Sequence, residues 1–178
     1  MNDNIIWFDA LTLQHRLSAG GKAASLGELS RAGMPVPAGF VVTTAAFTAF
    51  LDALETRMPV RATISALHKD DLPGITRAGA GIREAMEQTP MPEALSTAIL
   101  AACHALGAEM PVAVRSSATS EDSDEASFAG LQDTYLWVRG SAQILDSIRR
   151  CWASLYSTES ISYRLRLQLP EDQLAMGV

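Results

Sequence analysis

Two cysteines in 178 residues, Cys103 and Cys151, are too few for a disulfide framework, and each sits inside an apolar run of helical character. Secreted domains that rely on disulfides are cysteine-dense, so the chain reads as one from a reducing, cytoplasmic setting. Positive charge is scarce as well. Fourteen Lys and Arg stand against twenty Asp and Glu, a formal net charge of −6, and local basic groups are limited to Arg149-Arg150 and the Arg164/Arg166 pair. That balance argues against nucleic acid or an anionic membrane as the main partner. A small anion, which needs two or three well-placed cations, stays open. No apolar run approaches the ~20 residues of a membrane span. The opening MNDNIIWFDA lacks a basic region followed by a long apolar stretch, so no signal peptide is read. Internal repeats and low-complexity tracts are missing too.

What is present describes an ordinary globular chain. Hydrophobic residues make up 48% and charged residues 19%, enough to bury roughly 70% of the unfolded surface. The length fits one domain, or one and a fraction. The last residues, LPEDQLAMGV, carry no cap, polar tail or charged end, and Met176-Gly177-Val178 reads as the opening of a strand that does not arrive. The expectation is a fragment of a longer protein.

Along the chain, Ile5 to Phe8 reads as a strand. Residues 23 to 32 read as a helix, with Leu26 and Leu29 on one face, Gly20-Gly21-Lys22 at its start and Gly33 as its C-terminal glycine. Pro35 and Pro37 stiffen the approach to a strand at Phe40-Val41-Val42. Thr43-Thr44 can cap a second helix whose apolar face is Phe47, Phe50, Leu51 and Leu54. Residues 58 to 74 look like a less regular connection, followed by helices over 75–88 and 92–107. Strands 112–115 and 134–138 bracket a loop of small and acidic residues. A long helix starts at Ser141, with Ile144, Leu145, Ile148, Trp152 and Leu155 at helical spacing, and continues after a break as TESISYRLRLQL.

Three features of this layout could carry chemistry. Glycines and a lysine opening a helix offer backbone N–H groups and the positive end of the helix dipole to a phosphate. The alternative for Lys22 is a flexible turn with a solvated side chain. The stretch is not a Walker A loop, which would need glycine at Arg16 and Ser or Thr at Ala23. Arg115 closes a strand, where α/β proteins bind ligands, and its rigid fork of donors suits phosphate oxygens. An ion pair with a loop acid would explain it equally. Ser127-Phe128-Ala129-Gly130 can expose successive backbone N–H groups as an anion-binding concavity, or can be a plain hairpin turn. Glu121, Asp122, Asp124 and Glu125 lack the spacing of an EF-hand and read as a solvated charge run. His15, His68 and His104 have no partners at ligand or triad spacing, and Ser116 and Ser117 have no identifiable base, so no catalytic residue and no metal ligand is assigned.

In order and separation, GGKAASLGELSRAGMPVPAGFVVTTAAF and VAVRSSATSEDSDEASFAGLQDTYLWV resemble the N-terminal nucleotide-binding domain of the phosphoenolpyruvate synthase, pyruvate phosphate dikinase and rifampin phosphotransferase family. RRCWASLYSTESISYR resembles the helix that comes next in that domain. The resemblance covers essentially the whole chain and is weakest between residues 55 and 100. It implies an α/β (α+β), helix-rich fold with a small sheet, the first lobe of an ATP-grasp domain over residues 1–178. It also implies ATP as ligand. Lys22 and Arg115 stand where the family's lysine and arginine contact the nucleotide phosphates. Ser127, Phe128, Ala129, Gly130, Gln132, Asp133 and Thr134 match its glycine-rich phosphate loop. The family moves the β-phosphoryl group of ATP to a histidine on a swivelling domain, releasing AMP and phosphate, and then to pyruvate or another acceptor. Its magnesium ligands would lie outside this chain. So would the second lobe, the phosphohistidine domain and the pyruvate-binding domain, which are the expected partners. SFAGLQDT favours the synthase and rifampin phosphotransferase branches over the dikinase. A stand-alone, non-catalytic nucleotide-binding module is the competing reading. An apolar face left by the missing lobe would favour self-association.

Overall fold

The computed structural model describes residues 4–107, 110–119, 133–171 and 174–178. Strand β1 (Ile5–Trp7) pairs antiparallel with β2 (Phe40–Val42) in the register Ile5 to Val42. Between them lie a 3-10 turn at Leu13–His15 and two helices, α1 (Arg16–Ala19) and α2 (Gly21–Arg31). The C-terminal stop of α2 is as expected. Gly33 has φ +78°, its N–H donates to Ser30 O, and the Met34 N–H donates to Leu29 O. Those two bonds satisfy carbonyls the helix leaves open. The face of α2 differs from expectation. Leu29 is 46% exposed, and the helix buries Gly21, Ala23, Ala24 and Gly27. Small residues win because Gly27 lies directly against Leu11, too close for a larger side chain.

Helices supply most of the core. In α3 (Thr44–Glu55), Phe47, Phe50, Leu51 and Leu54 are buried as their spacing predicts, although the Thr43 side chain does not cap the helix. The 58–74 segment is more regular than expected. It contains α4 (Val60–Ser65), whose Val60 and Ile64 are buried. Helix α5 (Leu72–Gln88) starts where the Asp71 carboxylate accepts from the Gly74 N–H, and it buries Ile75, Gly79, Ile82 and Met86 along one stripe. Helix α6 (Glu93–Gly107) adds Leu95 and Ile99. Helix α7 (Ser141–Ala153), a 3-10 turn at Ser154–Tyr156 and α8 (Thr158–Leu167) complete the helical body. Trp152 lies fully buried at its centre, its ring centroid 5.9 Å from Phe47 and 5.2 Å from Phe50. Burial of this kind is the main source of stability.

Two further strand pairs sit against these helices. β3 (Val112–Arg115) runs antiparallel to β5 (Thr134–Val138), and β4 (Ser117–Ala118) runs antiparallel to β6 (Met176–Gly177). The last residues, read from the sequence as the opening of a strand, are a strand paired with β4. Val178 continues the pairing onto β2, exchanging backbone hydrogen bonds of 2.7 and 3.0 Å with Val42.

Candidate functional site

The site is framed where α2 meets the end of β3. Gly20 precedes α2 with φ +82° and has no side chain to cap the helix. A Cβ there would overlap the Ser117 carbonyl, so glycine is required both by the left-handed backbone and by the close approach. Ser117 supplies what Gly20 lacks. Its hydroxyl accepts from the Ala23 N–H at 3.1 Å, bridging 94 residues of sequence to satisfy a first-turn donor of α2. Ser117 is 4% exposed. This link carries Lys22, exposed on the first turn of α2, to the segment that begins with Arg115.

Arg115 closes β3, is exposed, and stands opposite Thr134, the exposed first residue of β5. Lys22, Arg115 and Thr134 thus lie on three elements tied together by the Ser117 hydroxyl on α2 and by the pairing of β3 with β5. Ser116 ties the same corner down: its N–H and hydroxyl donate to the Asp133 carbonyl at 3.4 and 3.3 Å. Ser127, Phe128, Ala129, Gly130 and Gln132 lie outside the described residues, as do Glu121, Asp122, Asp124 and Glu125.

Beneath this corner, Cys151 is fully buried beside the Asp133 carbonyl. Burial pushes its thiol up to about 12, Asp133 adds to the rise, and the Lys22 ammonium opposes it. Cys151 is thus a neutral, inert wall of the site. The Tyr135 hydroxyl donates to the Asp133 carboxylate at 2.9 Å. Its pKa is raised, by burial first and by that carboxylate second.

Strand β5 departs from the alternation of TYLWV. Leu136 and Trp137 together oppose Ala113, a bulge in the ladder, and Trp137 has φ +58°. The extra residue lets Tyr135 and Val138 face the helices, while Leu136 and Trp137 stay 65% and 76% exposed. Thr134, Leu136 and Trp137 are therefore exposed along one strand, beside exposed Arg115. Among the described residues, no group of three or more His, Cys, Asp or Glu is placed to hold a metal. None of the described helices is long and apolar enough to cross a membrane.

The residue that sequence reasoning missed is Ser117, together with its contact to Gly20. Its signal is the doubling in AGGK and VRSSA: only one glycine of the pair starts the helix, and only one serine can reach it.

Comparison with known proteins gives the family. The family model described as "Pyruvate phosphate dikinase, AMP/ATP-binding domain" matches residues 16–178. A "Probable phosphoenolpyruvate synthase" of Methanothermobacter thermautotrophicus is 45% identical over 151 residues, 82% of this chain and 22% of the relative. The phosphoenolpyruvate synthase of Neisseria meningitidis is 39% identical over 187 residues, 99% of this chain and 24% of its own length. A rifampicin phosphotransferase of a Streptomyces species is 41% identical over 160 residues, 89% of this chain and 18% of the relative. The chain spans less than a quarter of each of these relatives.

Proposed function

This chain belongs to the pyruvate phosphate dikinase AMP/ATP-binding domain family, and from that premise we propose that it is the ATP-binding part of a phosphoenolpyruvate synthase-like phosphotransferase, forming the first lobe of an ATP-grasp cleft. The observation that carries the reading is the Ser117 hydroxyl on the Ala23 N–H, which joins the glycine-led start of α2 to the strand ending in Arg115. Lys22 provides a point charge and Arg115 a planar fork, the two kinds of cation that phosphate oxygens accept. Thr134 adds a hydroxyl opposite Arg115, and the Ser127–Gly130 turn with Gln132 would cover the phosphates from the loop. Exposed Leu136 and Trp137 offer an apolar bed for the nucleoside end.

In the reaction proposed for the parent enzyme, the β-phosphoryl group of ATP passes to a histidine on another domain, water takes up the γ-phosphoryl group as phosphate, AMP leaves, and the histidine-bound phosphoryl group then passes to pyruvate. This chain's part is to bind and orient the nucleotide. Magnesium, expected to accompany the nucleotide, would be held by carboxylates of the second lobe. Partner domains would be that lobe, the phosphohistidine carrier and the acceptor-binding domain, in the cytoplasm. The Streptomyces relative supports a second reading in which the final acceptor is rifampicin, since the acceptor is chosen by a domain other than this one.

The test is calorimetric titration of the chain with ATP. Half a cleft should bind in the high-micromolar to millimolar range, on the order of −4 to −6 kcal/mol. No saturation by ATP would overturn the nucleotide site, and nanomolar affinity would overturn the half-cleft.

A further inference from the structure

Away from the phosphate corner, the most unusual chemistry in the described residues is a buried ion pair. Arg164 of α8 is 3% exposed. Its Nη1 donates to the Leu155 carbonyl and, at 2.9 Å, to the Ser160 hydroxyl. Its guanidinium lies 5.6 Å from the centroid of the Tyr156 ring. Gln168 then reverses the chain with φ +55°, and the Leu169 N–H returns to the Arg164 carbonyl at 3.1 Å. The reversal brings Glu171 under the guanidinium, its Oε2 3.5 Å from Nη2, with its side chain 13% exposed. Arg61 of α4 faces the same carboxylate at longer range. The Tyr156 hydroxyl faces the same carboxylate, and Arg164 Nε makes no hydrogen bond among the described residues.

Such a pair is a poor source of net stability, because taking two charges out of water costs as much as their attraction returns. Burial accordingly pushes the Glu171 carboxyl up despite the pull of Arg164. The best-attested use of a buried pair is to select one arrangement among several. The arrangement at stake is that of the strand downstream of Glu171. Met176 and Gly177 pair with Ala118 and Ser117, and the Thr119 N–H donates to the Ala175 carbonyl at 3.4 Å. A Cβ on Gly177 would overlap the carbonyl of Ala19, the residue before Gly20. The strap at residues 174–178, downstream of Glu171, therefore touches both sides of the phosphate frame: Ser117, and the chain leading into α2. A slip of one residue would turn buried Met176 outward and set a residue with a side chain against the Ala19 carbonyl, pressing on the chain that leads into α2.

We infer that the Arg164–Glu171 pair sets the register of this C-terminal strap, and that Glu171 is thereby a positioning residue for the phosphate frame at Ser117 and Lys22. The inference rests on the nucleotide-binding reading only for its consequence on affinity. Its structural half stands by itself.

The test is amide hydrogen exchange of the nucleotide-free chain, followed by ATP titration, for wild type, Glu171→Gln, Lys22→Ala, and the double variant Arg164→Met/Glu171→Leu. The double variant leaves no buried charge and guards against a Glu171→Gln chain that fails to fold. Expected in both Glu171 variants is about tenfold faster exchange at Val178, Thr119 and Ala23, with Ile82 and Ile148 unchanged within about twofold. ATP binding should weaken about tenfold in the same variants, and Lys22→Ala should weaken it without faster exchange. Uniform acceleration across all five amides, or none at Ala23, would overturn the positioning role. If wild type binds no ATP, the functional reading fails while the exchange pattern still decides the strap.

Discussion

Replacing Ser117 by alanine removes one oxygen and leaves the rest of the frame in place. The lost bond is the one that serves the Ala23 N–H in the first turn of α2, where Gly20 has no side chain to substitute for it. Loss of a helix-capping oxygen costs about 0.5–2 kcal/mol, and stranding a buried donor costs about 1–3 kcal/mol. Ser117 is 4% exposed, so water cannot easily replace it, and a value of about 2 kcal/mol is expected for Ser117→Ala from those two ranges. Gly20→Ala should cost more. It adds roughly 1–3 kcal/mol for a backbone at φ +82° and ψ 164° that essentially only glycine adopts to about 1–3 kcal/mol for overpacking against the Ser117 carbonyl. Urea denaturation of the two variants, with midpoints and slopes compared to wild type, measures both. A Ser117→Ala chain within about 0.3 kcal/mol of wild type, with Gly20→Ala no worse, would refute the claim that this contact holds the frame together.

Packing and charge elsewhere in the fold set three other outcomes. Trp152→Ala should cost about 3–5 kcal/mol, because it empties the centre of the core; Trp152→Phe should cost far less, since the indole N–H it removes has no partner among the described residues. Thermal melts of the pair check this. Trp137→Asn should stabilise the chain by about 0.5–1 kcal/mol, since Asn tolerates φ near +58° and the ring is 76% exposed; a loss of stability in urea would mean the ring packs somewhere. The Glu171 carboxyl sits above its ordinary value near 4.5 because of burial. A raised folded pKa gives stability that is present at low pH and lost as pH rises through it. Wild type should therefore lose stability relative to Glu171→Gln as pH rises above about 4.5, seen as a falling difference in urea midpoints; a constant difference would contradict the assignment.

How legible the fold is in the sequence depends on what kind of signal each element carries. Helices with a wide apolar stripe, such as α3, α5 and α7, can be read directly, because burial of Phe47, Ile82 or Trp152 leaves a 3.6-residue period. Helix α2 can be located from its glycines but not oriented: its contact face is Gly and Ala, which carry no hydrophobic period, so Leu29 reads as an inner residue and lies outside. Helix α4 is hidden because six residues with two buried ones make no pattern. The bulge at Trp137 breaks alternation by one residue, and β6 is defined by pairing with β4, Met176 against Ala118, across a long stretch of intervening chain. Lys22 and Arg115 are legible as chemistry. That they share a frame is not, because Ser117 reaches Ala23 only in three dimensions.

The measurement that bears most directly on the phosphate site is ATP titration of Arg115→Ala and Arg115→Lys beside wild type, with thermal melts to confirm folding. Losing hydrogen bonds to a charged group costs about 1.5–3 kcal/mol, a large share of the binding free energy, on the order of −4 to −6 kcal/mol, expected for half a cleft. Binding by Arg115→Ala should therefore fall below detection. Lysine keeps the charge but cannot fork two oxygens, so Arg115→Lys should recover little of it. ATP affinity unchanged in a folded Arg115→Ala chain would make this arginine a surface residue and would move the phosphate site elsewhere.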